Sequence, residues 1–171
     1  MDSTPRDTVD EFLEHALQVF PTLDPEVEAA VDRITHLDKR LKRLTETGAS
    51  RFGLNYGEFK VVVKLRQVAG EALSPGALAD MLALSTGAMT NRLDRLEETG
   101  FIARERHPDD RRGVVVRLTD AGRSAANDAV AEIAVGEQRL LSALTREEQG
   151  ALNDLLRTLM LASEEGPSIG G

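Results

Sequence analysis

The chain has 171 residues, 41% of them hydrophobic and 29% charged, with a formal net charge of −8. That length holds one core, or one core with a packing appendage, and the composition is that of a globular protein. The absence of cysteine excludes disulfides, thiolate catalysis and iron–sulfur ligation, and no apolar run reaches the roughly 18–20 residues of a membrane span.

The opening MDSTPRDTVDEF shows neither the basic nor the apolar region of a signal peptide, so a cytoplasmic location is expected. Thr8 and Glu11 form a capping-box pattern ahead of a short amphipathic helix that stops before Pro21. Asp24-Pro25 starts a long helix, with aspartate at the N-cap and proline at the first helical position. Val27, Ala30, Ile34, Leu37, Leu41 and Leu44 alternate three- and four-residue steps along it, a seam that reads either as a core face or as a dimer contact. Gly48 to Gly53 predicts a break. YGEFKVVVKLRQV resumes helix, with Phe59, Val62, Val63 and Leu65 as buried candidates.

Ser74-Pro75-Gly76 opens a short helix. Ser85 caps a longer one, STGAMTNRLDRLEETG, which ends with Gly100 just past its last turn. Two helices joined by a tight turn are a helix-turn-helix. FIARER and VVVRL follow as short strands. From Thr119 the chain is helical again, and Thr145 with Glu148 is a further capping box before a leucine-rich last helix. EEGPSIGG reads as a frayed tail. The expected fold is mainly α with a small β element: a winged helix-turn-helix over residues 48–118, flanked by dimerisation helices at 1–47 and 119–171.

Projected on a helical wheel, Met89, Leu93 and Leu96 gather on one side of the second helix. Gly87, Thr90, Asn91, Asp94 and Glu98 lie opposite, with Arg95 at the edge and Arg92 bordering the apolar side. A helix entering the major groove needs little bulk, amides and hydroxyls for base edges, and free backbone N–H groups for phosphate. Ser85, Thr86, Gly87, Thr90, Asn91 and Arg95 are therefore the candidate DNA contacts on this helix. The alternative is a solvated face, which ordinarily carries more Lys and Glu in its first two turns.

Residues 107–119 read HPDDRRGVVVRLT. This Asp-Asp-Arg-Arg cluster falls at the tip of a hairpin whose loop is too long for a two-residue turn, so it projects. Arginine at such a tip suits the negative floor of a narrow minor groove. A neighbouring carboxylate pairs with it and holds it extended. Asp109, Arg111 and Arg112 are the candidates here, and the alternative is a surface ion pair of little energetic weight. His107 with Asp109 and Asp110 lacks a second cluster to complete a metal shell. No metal or other cofactor is expected, nor is an enzyme: the three histidines lie in separate segments, and no nucleophile-elbow, phosphate-loop or metal motif occurs. The alternative to DNA binding is a winged-helix module that binds protein.

The run LSPGALADMLALSTGAMTNRLDRLEETGFI followed by HPDDRRGVVVRLTDAG resembles the multiple-antibiotic-resistance regulator (MarR) family. The resemblance implies an obligate homodimer with interleaved terminal helices and ligand-responsive repression. It also implies a pseudo-palindromic double-stranded DNA operator, with half-sites about 34–36 Å apart. The extra N-terminal helix, YGEFK and MTNRLDRLE are similar to the urate-responsive branch of that family. There a tryptophan, an aspartate and two arginines surround urate. The arginines carry over as Arg92 and Arg104, the aspartate position holds Lys60, and the chain has no tryptophan. That set implies a more anionic effector, citrate-like rather than urate. Lys60 reads equally as a solvent-facing helix lysine.

Overall fold

Backbone capping decides where the helices of this chain begin. The computed structural model describes residues 5–68, 70, 72–106 and 113–165. The long helix α2 (Pro25–Ser50) starts at Asp24, whose carboxylate accepts from the N–H groups of Glu26 and Val27. Helix α3 (Tyr56–Gln67) starts with a reciprocal capping box between Asn55 and Glu58. Ser74 caps α4 (Pro75–Met81), Ser85 caps α5 (Thr86–Glu98) and Thr119 caps α6 (Asp120–Leu141). Thr145 and Glu148 cap the last helix, α7 (Arg146–Glu165), as predicted.

The first helix, α1 (Thr8–Val19), departs from expectation at its start. Asp7 is the cap and Asp10 its reciprocal partner, one residue ahead of the Thr8–Glu11 pair. The same two carboxylates receive Arg33 of α2, with Arg33 Nε 2.9 Å from Asp7 Oδ2. Arg33 and the backbone N–H groups of Asp10 and Val9 hold the Asp7 carboxyl at about 2, below its usual range. A depressed folded-state pKa gives stability that is present above the unfolded value and lost as pH falls through the folded one. Acidification from about pH 4 to about pH 2 is therefore expected to weaken the attachment of α1 to α2. Asp7→Asn should flatten that part of the melting-temperature profile; an identical profile would remove Asp7 from this role.

Gly48 does not end α2. It is buried inside the helix, where a Cβ would stand 2.6 Å from Ile133 Cγ1 of α6. Close helix packing thus overrides the low helix propensity of glycine. The core lies where α3, α4, α5, the sheet and the start of α6 meet. Leu54, Val61, Val62, Leu65, Leu78, Met89, Leu93, Leu96 and Val116 are fully enclosed. In α3 the buried set is Glu58, Val61, Val62 and Leu65, whereas Phe59 and Val63 are only half-buried.

The sheet has three strands in the order β1-β3-β2. β2 (Ile102–Arg106) and β3 (Val114–Leu118) form the expected hairpin, pairing antiparallel from Ile102–Leu118 to Arg106–Val114. The two-residue β1 (Ala72–Leu73), absent from the sequence reading, joins the far side of β3. Two tail residues, Glu164 and Glu165, belong to α7, and the rest of the tail lies outside the described residues. No helix among the described residues is long and apolar enough to cross a membrane.

Candidate nucleic-acid interface

Helix α4 ends at Leu82, and the chain turns through Ala83 in the left-handed region (φ 51°) before Ser85 starts α5. The Leu84 N–H donates to the Ala79 carbonyl at 2.9 Å, which closes the turn. Met89, Leu93 and Leu96 then anchor α5 in the core. As a consequence the polar stripe stands outward: Ser85, Thr86, Gly87, Thr90, Asn91 and Arg95 are all exposed. The Ser85 hydroxyl accepts from the Ala88 N–H, and the Thr90 hydroxyl donates to the Thr86 carbonyl at 2.9 Å. The predicted face is thus gathered on one surface, with two of its hydroxyls held by the helix itself. The wing candidates Asp109, Arg111 and Arg112, and the His107–Asp110 reading, lie outside the described residues.

Arg95 carries an ion pair the sequence reading missed. Its Nε is 3.1 Å from Oε1 of Glu58, a carboxylate whose side chain is 7% exposed, while Arg95 itself is 67% exposed. The capping pattern Asn55-x-x-Glu58 was the available signal for a fixed glutamate at this place.

The three proposed effector residues separate into two groups. Arg104 on β2 is committed: its Nη1 is 2.7 Å from Glu97 and its Nη2 2.7 Å from Asp94, both on α5. Its part in an effector site therefore stands on the resemblance alone. Arg92 lies over the first turn of α3. Gly57 leaves it room, since a Cβ there would come within 2.7 Å of Arg92 Nε. Lys60 lies on the same turn of α3, with its Nζ 5.8 Å from the Tyr56 ring centroid. Lys42 of α2 sits over that ring as well, at 5.4 Å. Lys42 and Tyr56 were not singled out from the sequence. No group of three or more possible metal-ligating side chains occurs among the described residues.

A helix-turn-helix with an outward polar face, backed by an antiparallel wing, defines a winged-helix DNA-binding protein. The MarR-family profile matches residues 54–114. The regulator PecS of Dickeya dadantii is 32% identical over 137 residues, covering 80% of this chain and 82% of PecS. The multiple antibiotic resistance protein MarR of Escherichia coli is 32% identical over 132 residues, covering 75% of this chain and 89% of MarR. The structure of a mutant E. coli MarR complexed with operator DNA superposes with a TM-score of 0.63 at 30% identity, covering 76% of this chain and 93% of that one. This chain belongs to the MarR family of transcriptional regulators.

Proposed function

We propose that this protein is a repressor that binds a pseudo-palindromic operator as a homodimer and leaves it when a small anionic effector binds. The observation that carries the DNA reading is the α5 face: Thr86, Gly87, Thr90 and Asn91 exposed together at the start of a helix anchored by Met89, Leu93 and Leu96. A relative of the same fold has been solved on operator DNA. The net charge of −8 does not oppose this, because charges act on DNA over roughly 10 Å in salt and the contacts are local. The test is selection of a duplex from a random-sequence pool, followed by titration at two salt concentrations. Affinity falling steeply with salt is expected, since each phosphate contact releases a counterion. Failure to select any duplex would overturn the reading.

The wing arginines are assigned to the minor groove. Arg111→Ala should weaken operator binding by about 1–3 kcal/mol and leave the oligomeric state unchanged. Undiminished affinity in a DNA titration removes Arg111 from the interface.

Two observations support an anionic effector. Lys42, Tyr56 and Lys60 bring two ammonium groups to one ring, and Arg92 lies over Gly57, next along the chain from Tyr56. Cations gathered in this way repel one another when no anion is present, and a carboxylate relieves that repulsion. The guanidinium fork of Arg92 matches a carboxylate and makes the stronger contact, with Lys60 acting as a point charge. Because Arg92 is on α5 but off its DNA face, an effector that grips it acts on the recognition helix directly. Citrate is expected to release DNA at millimolar concentration or below and urate to do little. Release by urate ahead of citrate, or a normal citrate response in Arg92→Ala, overturns the assignment.

A further inference from the structure

We propose that Glu58 is a positioning residue for DNA binding: buried in α3, it holds Arg95 of the recognition helix aimed at the operator backbone. The proposal rests on the DNA-binding reading above and adds a residue that itself never meets DNA.

Gly87, Asn91 and Arg95 are spaced four residues apart and form one exposed line along α5. From Gly87 to Arg95 this line covers about 12 Å of helix axis, and the major groove is about 12 Å wide. When the first turn of α5 reaches base edges, Arg95 is therefore at the rim of the groove, where the phosphates stand. Arginine binds phosphate through its planar fork, and a fixed fork loses less rotamer entropy on contact.

Glu58 supplies that fixation. Its Oε2 accepts from the Asn55 N–H at 2.9 Å and its Oε1 faces Arg95 Nε at 3.1 Å. Burial and the cap leave the carboxylate little freedom to move. The pair engages the Nε side of the guanidinium, and the rest of the side chain remains in solvent. A surface ion pair between two mobile chains contributes little; here one partner is immobile, so the pair sets direction.

Electrostatics and orientation make opposite forecasts for Glu58→Gln, which makes the variant informative. Removal of a negative charge near DNA by itself strengthens attraction to the polyanion. Loss of the anchor weakens binding. The probe is a duplex selected from a random-sequence pool by the wild-type protein, titrated well below the melting temperature. Glu58→Gln should bind it roughly fivefold more weakly, within the range of a direct pairwise coupling. In the Arg95→Ala background the same change should have no further effect. Asn55→Ala removes only the side-chain acceptor for the Glu58 N–H, while the backbone N–H of residue 55 still holds Glu58 Oε2 and the pair; it should lower the melting temperature and leave DNA affinity within about twofold. Should Glu58→Gln fail to fold, Arg95→Lys takes its place. It keeps the charge and the salt slope, but an ammonium cannot face the carboxylate and a phosphate as a fork does, so a loss of similar size is expected.

Unchanged or tighter binding by Glu58→Gln overturns the proposal. So do additive effects of Glu58→Gln and Arg95→Ala, a loss in Asn55→Ala equal to that in Glu58→Gln, or full affinity in Arg95→Lys. If the wild-type protein selects no duplex, the DNA reading itself falls, which is a different result.

Discussion

Alanine at position 122 is expected to destabilise the winged-helix body by more than about 4 kcal/mol, in the range reserved for severe core lesions. Gly122 is buried in the first turn of α6, and a Cβ there would stand 1.9 Å from the Phe101 carbonyl oxygen and 3.2 Å from Leu118 Cδ2. The obstacle is backbone, so no rotamer change relieves it. Retreat of the helix is also blocked. The Thr119 N–H donates to the same Phe101 oxygen at 3.1 Å, the Thr119 hydroxyl donates to the Gly100 carbonyl at 2.7 Å, and that hydroxyl accepts from the Gly122 N–H. Any shift that admits the methyl breaks this junction between α6 and the base of the wing. Helix propensity alone would favour alanine by about 1 kcal/mol, so the sign of the effect separates sterics from propensity. Denaturant unfolding measures it, and a variant as stable as wild type would refute the close approach. With total stabilities of about 5–15 kcal/mol, such a loss removes from about a quarter to most of the total.

That junction also shows what a sequence conceals. Gly122 is one of 14 glycines, and nothing in DAGRSAAN distinguishes it from an ordinary helix glycine. Its role comes from Phe101, brought alongside by the hairpin. Gly48 misled for the same reason. As a local signal it breaks a helix, but Ile133 of α6 needs the space a side chain would take. Legible elements were those whose cause is local. Asp24-Pro25, Ser74-Pro75, Ser85 and Thr145 with Glu148 satisfy their own helix ends, and the Met89, Leu93 and Leu96 spacing orients α5 unaided. The exposed half of the candidate DNA face was therefore readable in advance. The pairing of Glu58 with Arg95 was not, because the two lie far apart along the chain and only the packing of α3 on α5 makes them neighbours. The two-residue β1 was too short to carry a pattern.

Leu159→Asp is expected to convert a dimer into monomers at micromolar concentration. Helix α7 has no buried residue among those described, and Leu155, Leu156, Leu159, Met160 and Leu161 are all exposed on it. Val27, Val31, Ile34, Leu37 and Leu41 of α2 are bare as well. Part of the predicted seam of α2 is thus left uncovered within one chain, as a dimer contact requires. An amphipathic helix in water is marginal without a partner for its apolar face, and patches of this extent are rare on monomers. The proposed homodimer covers both faces at once. Burying one leucine contributes about 1.5–3 kcal/mol, and in a two-fold assembly each substitution counts twice. A carboxylate enclosed in the interface adds its desolvation cost. A loss of about 4 kcal/mol or more follows, which raises the dissociation constant roughly a thousandfold. The enclosed core of Leu54, Leu65, Leu78 and Leu93 is built within a single chain, so the separated variant should retain the winged-helix body while α7 loses order. Sedimentation with circular dichroism distinguishes the outcomes: a folded wild-type monomer at micromolar concentration, or a variant that still sediments as a dimer, would show that these leucines are not the interface.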